Sequence, residues 1–317
     1  MNLNKYKKLS GDASFRAFYR KNQKGKSSII VYCKKDKKSN LLIYDAINQI
    51  LNQHKIKAPR LISQEYDKNL IEIEDLGNLT VYKNLRKFKN NKLFYFKKIL
   101  KLLIKLQKIK KSTLKTFLNS NYKIPLYTKE KLFNESKLFI EWYLPKYIKG
   151  KNKNKIKKKL ETIFKSLLNK LVYKKKVFVH RDFHVSNIMI SKNSLGLIDT
   201  QDSVYGNVAY DIASLIDDVR FSTKISEKEC IFSQFIKLKK SFNKNKLKND
   251  FEILSVLRNL KIIGIFSRLS ERDKKNQYLK LIPYAWKLIE YRINNNRKFL
   301  ELKKILDKNF SEKIRKK

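Results

Sequence analysis

The sequence has 317 residues, 42% of them hydrophobic, which is enough apolar material for a packed core in one large two-lobed domain or two ordinary ones. That composition excludes wholesale disorder. The formal net charge of +47 would attract the protein to nucleic acid or to an anionic membrane surface. However, 63 of the 75 basic residues are lysine. Because arginine is the more usual reader of phosphates and bases, we favour compositional bias and expect no specific nucleic-acid partner.

The apolar residues occur in short, interrupted runs. None approaches the eighteen residues needed to cross a bilayer, so no membrane span is predicted, and the first residues lack the apolar segment of a secretory signal. Cys33 and Cys230 lie far apart, without the spacing of a metal site or a disulfide framework. We therefore expect a reduced, cytoplasmic protein, and we expect it to be a monomer.

The first part of the chain is predicted to form a small sheet with one helix. Residues 14–21 and 27–35 are rich in aromatic and β-branched residues and are separated by the turn-like sequence NQKGK, which predicts two paired strands. Residues 40–56 have apolar residues at helical spacing. Residues 58–78 contain two further strand-like pieces around the turn YDKN. These elements predict a sheet-rich region that ends near Gly77.

The remainder of the chain is predicted to be mainly helical. Residues 91–111 and 155–176 have the pattern of long amphipathic helices, and helical periodicity resumes at residue 209. A strand, KVFVHRD, and a hairpin, NIMI-SKNS-LGLID, interrupt the helices between residues 176 and 199. We expect a small sheet-rich lobe over residues 1–77 and a larger helical lobe over residues 78–317.

The segment HRDFHVSN fits the pattern H-R-D-x-x-x-x-N of phosphoryl-transfer catalytic loops at every specified position. Asp182 can accept the proton of an attacking hydroxyl group. Mg²⁺ prefers oxygen ligands, which the amide of Asn187 and the carboxylate of Asp199 can supply. Because a hairpin connects them, Asn187 and Asp199 are expected to lie side by side. The sequence therefore predicts a Mg²⁺-dependent phosphotransferase.

The first lobe is expected to hold the nucleotide. Small residues precede the first long strand, where backbone N–H groups can approach phosphate oxygens; the segment consists of Ser10, Gly11, Asp12, Ala13 and Ser14. The basic residue that usually follows on the next strand is Lys34 or Lys35 here, and neither lies in a V-A-I-K setting. Residues Glu74, Asp75 and Leu76 are placed at a hinge that can offer backbone groups to adenine.

The length of the segment after the metal-binding aspartate separates the classes of acceptor. A protein kinase needs a long activation segment that ends in A-P-E. Only eleven residues separate Asp199 from Asp211, and neither D-F-G nor A-P-E occurs. We therefore expect a small-molecule acceptor, held by the helical lobe, rather than a peptide.

The chain resembles the aminoglycoside/choline phosphotransferase family of kinase-like enzymes. Within that family it is most similar to the bacterial anomeric kinases of N-acetylmuramate and N-acetylglucosamine. The matching segments are GDASFRAFYR, IEIEDLG, LFIEWYL, HRDFHVSN, LGLIDTQDSVYGNVAYDIASLIDD and LKIIGIFSRLSERDKKNQYLKLIP, and together they extend over nearly the whole chain. Family members usually have Phe where this chain has Thr200.

The resemblance implies an α+β, protein-kinase-like two-lobed fold and ATP- and Mg²⁺-dependent transfer to the anomeric hydroxyl of an amino sugar in cell-wall recycling, giving a sugar 1-phosphate. It makes Asp182 the base and Asn187 and Asp199 the metal ligands. Its candidates for contacts with the sugar are Gln201, Asp202, Glu141, Trp142 and Arg268. Bracing the site is the alternative for Gln201 and Asp202, and structural packing is the alternative for the last three. In the catalytic loop, His184 is a further candidate, which either faces the acceptor or fills space.

Two other functions remain open at this point. The same fold can act on choline, ethanolamine, an aminoglycoside or another small alcohol, and a cationic acceptor would require an acidic or aromatic pocket. The basic composition of the helical lobe favours a neutral or acidic sugar instead. A non-catalytic basic binding protein is the third hypothesis, and the intact Asp182, Asn187 and Asp199 argue against it.

Overall fold

A computed structural model of the chain describes residues 3–9, 16–23, 25–88, 92–191, 194–239, 241–294 and 296–316. The chain divides into two compact units. The first comprises Met1–Pro125 and Val177–Tyr205, and the second comprises Leu126–Lys176 and Gly206–Lys317. A functional boundary at residue 77 stays a prediction.

A five-stranded antiparallel sheet is the main element of the first unit. Its strand order is β1-β2-β3-β5-β4. The strands are β1 (Lys7–Leu9), β2 (Arg16–Gln23), β3 (Lys26–Cys33), β4 (Leu61–Glu65) and β5 (Leu70–Glu74). Between β4 and β5, Asn69 adopts a left-handed conformation with φ of 61°. Asparagine tolerates that conformation better than most residues, which explains the predicted turn at YDKN.

The sheet packs on helix α1 (Ser39–Gln53) through alternate residues of its central strands. Ile29, Val31 and Cys33 of β3 are buried in one cluster with Leu41 and Tyr44 of the helix. Because successive side chains of a strand point to opposite faces, this period of two directs one face of the sheet toward the helix. The cluster fixes the position of α1 on the sheet.

Within the described ranges, two helices and six short strands account for most of the remaining first unit. The helices are α2 (Val81–Lys87) and α3 (Lys92–Leu106), and the strands are β6 (Thr113–Lys115), β7 (Asn121–Lys123), β8 (Lys176–Val179), β9 (Ile188–Ser191), β10 (Ser194–Leu197) and β11 (Val204–Asn207). Strand β8 begins with Lys176 and β11 ends with Gly206 and Asn207, and these three residues are assigned to the second unit. Pairs β6–β7, β8–β11 and β9–β10 form two-stranded sheets. Thr80 caps α2 by accepting a hydrogen bond from the backbone N–H of Lys83.

The second unit is helical. Its helices are α4 (Lys129–Leu138), a π-helical segment (Phe139–Tyr143), α5 (Leu144–Tyr147), α6 (Lys151–Asn169), α7 (Tyr210–Ile216), α8 (Ile225–Leu238), α9 (Lys244–Asp273), α10 (Ile282–Ile293), α11 (Leu300–Asn309) and α12 (Glu312–Arg315). Short 3₁₀ helices occur along the chain at Leu3–Lys5, Lys35–Lys37, Tyr66–Lys68, Val185–Asn187, Asn276–Leu281 and Arg297–Phe299. Within the described ranges, no helix is both long and apolar enough to cross a membrane.

Helix α9 passes through the core of this unit. A Cβ atom on Gly264 would lie 2.2 Å from the backbone carbon of Leu138, so the absence of a side chain allows the two backbones to approach. Next to this point, Tyr143 of the π-helical segment accepts a hydrogen bond from Trp286 Nε1 at 3.0 Å. Phe139 and Phe310 complete an aromatic cluster around these two rings. The segment that carries EWYL is therefore anchored by its tyrosine.

A buried ion cluster joins the end of α7 to three further helices of the second unit, α8, α9 and α10. The carboxylate of Asp217, which directly follows α7, accepts hydrogen bonds from Arg292 Nε at 2.8 Å and from Ser255 Oγ. The ammonium group of Lys228 lies 3.2 Å from the same carboxylate. Burial acts to raise the pKa of Asp217, but the charges of Arg292 and Lys228 hold it below its ordinary value.

These elements confirm the predicted fold class of α+β, with a small antiparallel sheet first and a mainly helical region after it. The predicted helices at 91–111 and 155–176 correspond to α3 and α6, although both end earlier than the sequence pattern. The predicted hairpin is formed by β9 and β10, whose connecting residues 192–193 lie outside the described chain.

Candidate active site

The segment HRDFHVSN forms a tight loop between β8 and β9. The backbone carbonyl of Asp182 accepts a hydrogen bond from the N–H of His184 at 3.0 Å. It also accepts one from the side-chain Nδ2 of Asn187, again at 3.0 Å. The backbone N–H of Asn187 donates to the carbonyl of His184 at 2.9 Å. These bonds fix the five-residue spacing between Asp182 and Asn187 as one closed turn.

The hairpin places the end of this loop beside the residue that precedes Asp199. Ile188 pairs with Leu197 in the register of β9 and β10. The N–H of Ile198 then donates to the carbonyl of Asn187 at 3.1 Å. Asn187 and Asp199 are thus carried on adjacent, hydrogen-bonded segments.

Two residues of the site have left-handed backbone conformations, which are unfavourable for most residues other than glycine. Arg181 has φ of 75° and Asp199 has φ of 61°. Such conformations typically cost about 1–3 kcal/mol each and concentrate at functional sites. Arg181 precedes the predicted base Asp182 in the loop, and Asp199 is itself a predicted metal ligand, so the unfavourable conformations occur at or beside predicted functional residues.

The two histidines of the loop are buried. His180 Nε2 donates to the carbonyl of Ile198 at 3.1 Å. Burial lowers the pKa of His180 below its ordinary value, although the charges of Asp182 and Asp199 act to raise it. A neutral His180 therefore ties the loop to the end of β10. His184 is only 5% exposed, and its Nε2 lies 3.5 Å from Asn187 Nδ2. Whether His184 faces the acceptor or fills space stays a prediction.

The carboxylate of Asp199 accepts side-chain hydrogen bonds through one of its two oxygens, Oδ1. Arg16 Nη2 forms an ion pair with Oδ1 at 2.9 Å, and Gln201 Nε2 donates to the same oxygen at 3.1 Å. Gln201 Nε2 also donates to Asp202 Oδ2 at 2.8 Å. The guanidinium of Arg181 lies 3.7 Å from the other carboxylate oxygen of Asp202. Gln201 and Asp202 thus form a polar network with the predicted metal ligand.

The donor set fits a magnesium ion. In the described part of the chain, the hydrogen bonds to Asp199 all reach Oδ1, which leaves Oδ2 for a ligand. Asn187 commits its amide nitrogen to the carbonyl of Asp182, so its amide oxygen is directed away from that bond. No group of three or more His, Cys, Asp and Glu side chains that could hold a metal occurs among the described residues. Mg²⁺ at nucleotide sites takes one or two protein ligands and completes its octahedron with phosphates and water.

The predicted hinge is braced by an ion pair. Arg20 on β2 donates to both oxygens of Asp75, at 2.6 and 3.0 Å, and to the carbonyl of Gly77 at 3.3 Å. The N–H of Gly77 donates to Asp75 Oδ1 at 2.8 Å. Burial acts to raise the pKa of Asp75, but Arg20 and Ser27 hold it below its ordinary value. The side chain of Asp75 is thus used in bracing the hinge.

The side chain of Leu76 and the backbone of Lys57 meet the catalytic hairpin at a glycine. A Cβ atom on Gly196 would lie 3.1 Å from Leu76 Cδ1 and 3.3 Å from the carbonyl oxygen of Lys57. The ammonium group of Lys57 donates to Ser191 Oγ at 2.9 Å and lies 3.5 Å from Glu74. The predicted hinge and the hairpin are thus in contact within the first unit, directly through Leu76 and indirectly through Lys57.

The remaining nucleotide-site predictions have different outcomes. Lys34 directly follows β3 and is exposed. The predicted phosphate loop lies outside the described residues; it comprises Ser10, Gly11, Asp12, Ala13 and Ser14. A role for Lys34 at the nucleotide stays a prediction. A basic side chain that does contact Asp199 is that of Arg16, which was not predicted from the sequence. Its position in the GDASFR segment was the available signal.

Thr200, the position at which the family usually has Phe, is fully buried. Its hydroxyl donates to Asn48 Oδ1 on α1 at 2.6 Å, which links the helix of the sheet lobe to the segment that carries Asp199. Asn48 is the second residue that the sequence analysis missed. A single asparagine on a helix gives no sequence signal of such a contact.

The predicted acceptor residues of the helical region lie in the second unit. Glu141 is exposed on the π-helical segment and forms an ion pair with Lys137 at 3.7 Å. Trp142 is half-buried. Arg268 is half-buried on α9; burial lowers its pKa, as does the charge of Arg272, whereas the charge of Glu141 raises it. Glu141 and Arg268 therefore interact electrostatically within the second unit.

The sheet-and-helix fold and the Asp182–Asn187 loop define a kinase-like phosphotransferase. Residues 5–229 match the APH group, described as the phosphotransferase enzyme family. The chain belongs to this family, and it is an enzyme that transfers phosphoryl groups.

Named relatives are similar over nearly the whole length of the chain. An N-acetylmuramate/N-acetylglucosamine kinase of Pseudomonas aeruginosa is 27% identical over 304 residues, which cover 94% of this chain and 86% of that protein. A protein of Neisseria meningitidis with the same name is 26% identical and covers 92% of this chain and 86% of its own length.

Solved structures share the fold at lower identity. The aminoglycoside phosphotransferase APH(2'')-Ib, bound to ADP, has a TM-score of 0.61 at 17% identity, covering 92% of this chain and 93% of its own. A choline/ethanolamine kinase family protein from Mesorhizobium loti has a TM-score of 0.62 at 9% identity, covering 95% of this chain and 92% of its own. The predicted protein-kinase-like fold is thereby confirmed.

Proposed function

We propose that the chain is an ATP-dependent kinase that phosphorylates the anomeric hydroxyl of N-acetylmuramate or N-acetylglucosamine. The observation that carries the proposal is the closed turn in which Asp182 and Asn187 are hydrogen-bonded and joined by the hairpin to Asp199. The names of the relatives from P. aeruginosa and N. meningitidis support the amino sugar as the acceptor. The product would be a sugar 1-phosphate, as expected of an enzyme of cell-wall recycling.

In the proposed reaction, the carboxylate of Asp182 accepts the proton of the anomeric hydroxyl as its oxygen attacks the γ-phosphorus of ATP. A bond forms between that oxygen and phosphorus, and the bond from phosphorus to the β,γ-bridging oxygen breaks. ADP leaves with the electron pair of the broken bond. Half-buried Asp182, fixed through its own carbonyl by Asn187 and His184, supplies a defined direction of approach.

Asn187 and Asp199 would hold Mg²⁺, which neutralises charge on the transferred phosphate when bound. The amide oxygen of Asn187 and Oδ2 of Asp199 are the ligand atoms that the hydrogen-bond pattern leaves for it. The small residues 10–14 would cover the triphosphate. Backbone groups of Glu74 and Leu76 would contact adenine, while Asp75 keeps the hinge in shape.

Gln201 and Asp202 are the proposed acceptor-side residues of the first unit, because their network joins the metal ligand to Arg181. Glu141, Trp142 and Arg268 are the proposed sugar contacts of the second unit. Glu141 is exposed and Trp142 and Arg268 are half-buried, whereas Tyr143 in the same segment is buried and hydrogen-bonded in the core. His184 is the least suited to contact a sugar because it is buried.

An acceptor screen with the purified protein, ATP and Mg²⁺ tests the function directly. N-acetylmuramate and N-acetylglucosamine are each expected to give a product with an anomeric phosphorus signal in ³¹P NMR and with the acid lability of a sugar 1-phosphate. The matched control is the 1-O-methyl glycoside of N-acetylglucosamine, which lacks only the free anomeric hydroxyl and is expected to remain unmodified.

The same screen includes choline, ethanolamine and an aminoglycoside, because structures of that fold carry such names. Faster phosphorylation of any of these than of both sugars would reject the amino-sugar assignment while retaining the phosphotransferase. Phosphorylation of the methyl glycoside at a rate equal to the free sugar would reject the anomeric position.

A further inference from the structure

Arg16 is a buried arginine at the first described position of β2. Its residue surface is 7% exposed, and its guanidinium lies 5.6 Å from the ring centre of Phe18 and 5.5 Å from that of Tyr44. A buried guanidinium is costly unless it is paired, and this one is paired with Asp199. This ion pair ties the buried guanidinium directly to the proposed metal ligand.

The register of the sheet places Arg16 where a kinase-like site needs a basic residue. Arg16 lies directly opposite Cys33, the last residue of β3 and the neighbour of Lys34. Kinase-like enzymes generally carry a lysine on this third strand. Here the buried positions Val31 and Cys33 are apolar and Lys34 is exposed. A buried basic group is thus provided by β2, beside the end of β3, where a basic residue was predicted.

The contacts of Arg16 close a ring of hydrogen bonds. Nη2 pairs with Asp199 Oδ1 at 2.9 Å, and Nη1 donates to Gln201 Oε1. Gln201 Nε2 in turn donates a hydrogen bond to Asp199 Oδ1 at 3.1 Å, which closes the ring. A planar guanidinium can bridge two acceptors at fixed separation, whereas an ammonium group is a point charge. The ring holds Oδ1 and thereby determines the direction of Oδ2.

We propose that Arg16 is the positioning residue of the metal site, which acts by fixing the carboxylate of Asp199 through this three-residue ring. The inference rests on the proposed function of Asp199 as a magnesium ligand and deepens it. Partners that orient a metal ligand typically contribute about tenfold to a hundredfold in metal affinity.

The test uses Arg16→Lys, which keeps the positive charge and removes the planar fork. Binding of Mn²⁺ in the presence of a non-hydrolysable ATP analogue is measured by the electron paramagnetic resonance signal of free Mn²⁺. We expect the Mn²⁺ dissociation constant to rise about tenfold or more. Affinity for the same analogue in EDTA is expected to change less than about twofold, because the charge is retained. Arg86→Lys, an equal change at an exposed position on α2, is expected to leave both affinities unchanged.

An unchanged Mn²⁺ affinity in Arg16→Lys would overturn the positioning role. If Arg16→Lys does not fold, Gln201→Leu removes the other bridging group while leaving Arg16 in place, and it is expected to weaken Mn²⁺ binding in the same direction. Unaltered binding in that variant would equally overturn the proposal. Failure of the wild-type chain to retain Mn²⁺ with the analogue would reject Asp199 as a ligand, and the proposed function would then fail together with this inference.

Discussion

The side-chain amide of Asn187 donates to the backbone carbonyl of Asp182 at 3.0 Å, so the proposed metal ligand and the proposed base are parts of one turn. The carboxylate of Asp182 takes no part in that bond. Its replacement should therefore remove the base without opening the turn.

We expect Asp182→Asn to lower kcat by about 10²- to 10⁴-fold, the usual contribution of a general base. Nucleotide affinity should remain close to that of the wild type, because the bonds that shape the loop are made by the backbone carbonyl. Steady-state kinetics and a nucleotide-binding titration check both expectations. Asp36→Asn, at an exposed position, is the control for the amide substitution. Turnover at the wild-type rate would exclude Asp182 as the base.

The ion pair between Arg20 and Asp75 should affect nucleotide binding rather than the chemical step. We expect Arg20→Met to raise the nucleotide dissociation constant about tenfold, since hydrogen bonds to a charged group that shape the hinge are lost. Lys21→Met is a matched control on the same strand, because Lys21 pairs with Glu72 and not with the hinge. Equal effects of the two substitutions would show that the hinge is not specifically braced by Arg20.

Asp217 should be essential for the stability of the second unit. Asp217→Asn leaves the charges of Arg292 and Lys228 without their carboxylate in the interior. Breaking a buried ion pair in this way typically costs about 3–5 kcal/mol of unfolding free energy. Urea denaturation monitored by tryptophan fluorescence measures the loss. The exposed Asp36→Asn variant should keep the wild-type midpoint, and a similar midpoint for Asp217→Asn would contradict the expected role of the cluster.

The lowered pKa of the Asp217 carboxylate predicts that the free energy of unfolding decreases in acid. Its folded-state pKa is below the ordinary value of 3.8, so its contribution is present above that value and is lost as the pH falls through the folded-state pKa. We expect the urea midpoint of the wild type to fall more steeply between about pH 5 and pH 2 than that of Asp217→Asn. Parallel pH profiles of the two proteins would reject this assignment.

Gly264→Ala should destabilise the second unit although alanine favours helices. The new Cβ would lie 2.2 Å from the backbone of Leu138, and backbone atoms cannot move aside as a flexible side chain does. We expect a loss of about 3 kcal/mol in unfolding free energy. Asn245→Ala, at an exposed position of the same helix, is expected to cost nothing measurable. A stable Gly264→Ala protein would show that the two segments separate easily.

Local patterns were sufficient to predict the parts of the fold that depend on neighbours in sequence. The aromatic and β-branched content of β3, the turn at Asn69 and the hairpin of β9 and β10 are encoded within a few residues, and so is the Asp182–Asn187 spacing. The pairing of Arg16 with Asp199 joins residues 183 positions apart, and no local pattern specifies it.

The interior of the second unit was beyond prediction for a related reason. A buried lysine such as Lys228 looks like any other lysine in a chain with 63 of them, and only its partner Asp217 distinguishes it. The π-helical segment Phe139–Tyr143 is also invisible to periodicity, because it depends on one extra residue in a helical turn.

The backbone approach at Gly264 couples two regions of the chain that are distant in sequence. The π-helical segment can keep its position only while the facing turn of α9 lacks a side chain. In chimeras of related phosphotransferases, the two segments should therefore be exchanged together. Exchanging either one alone could place a side chain at position 264 against the backbone of Leu138, and no change of rotamer would relieve that contact.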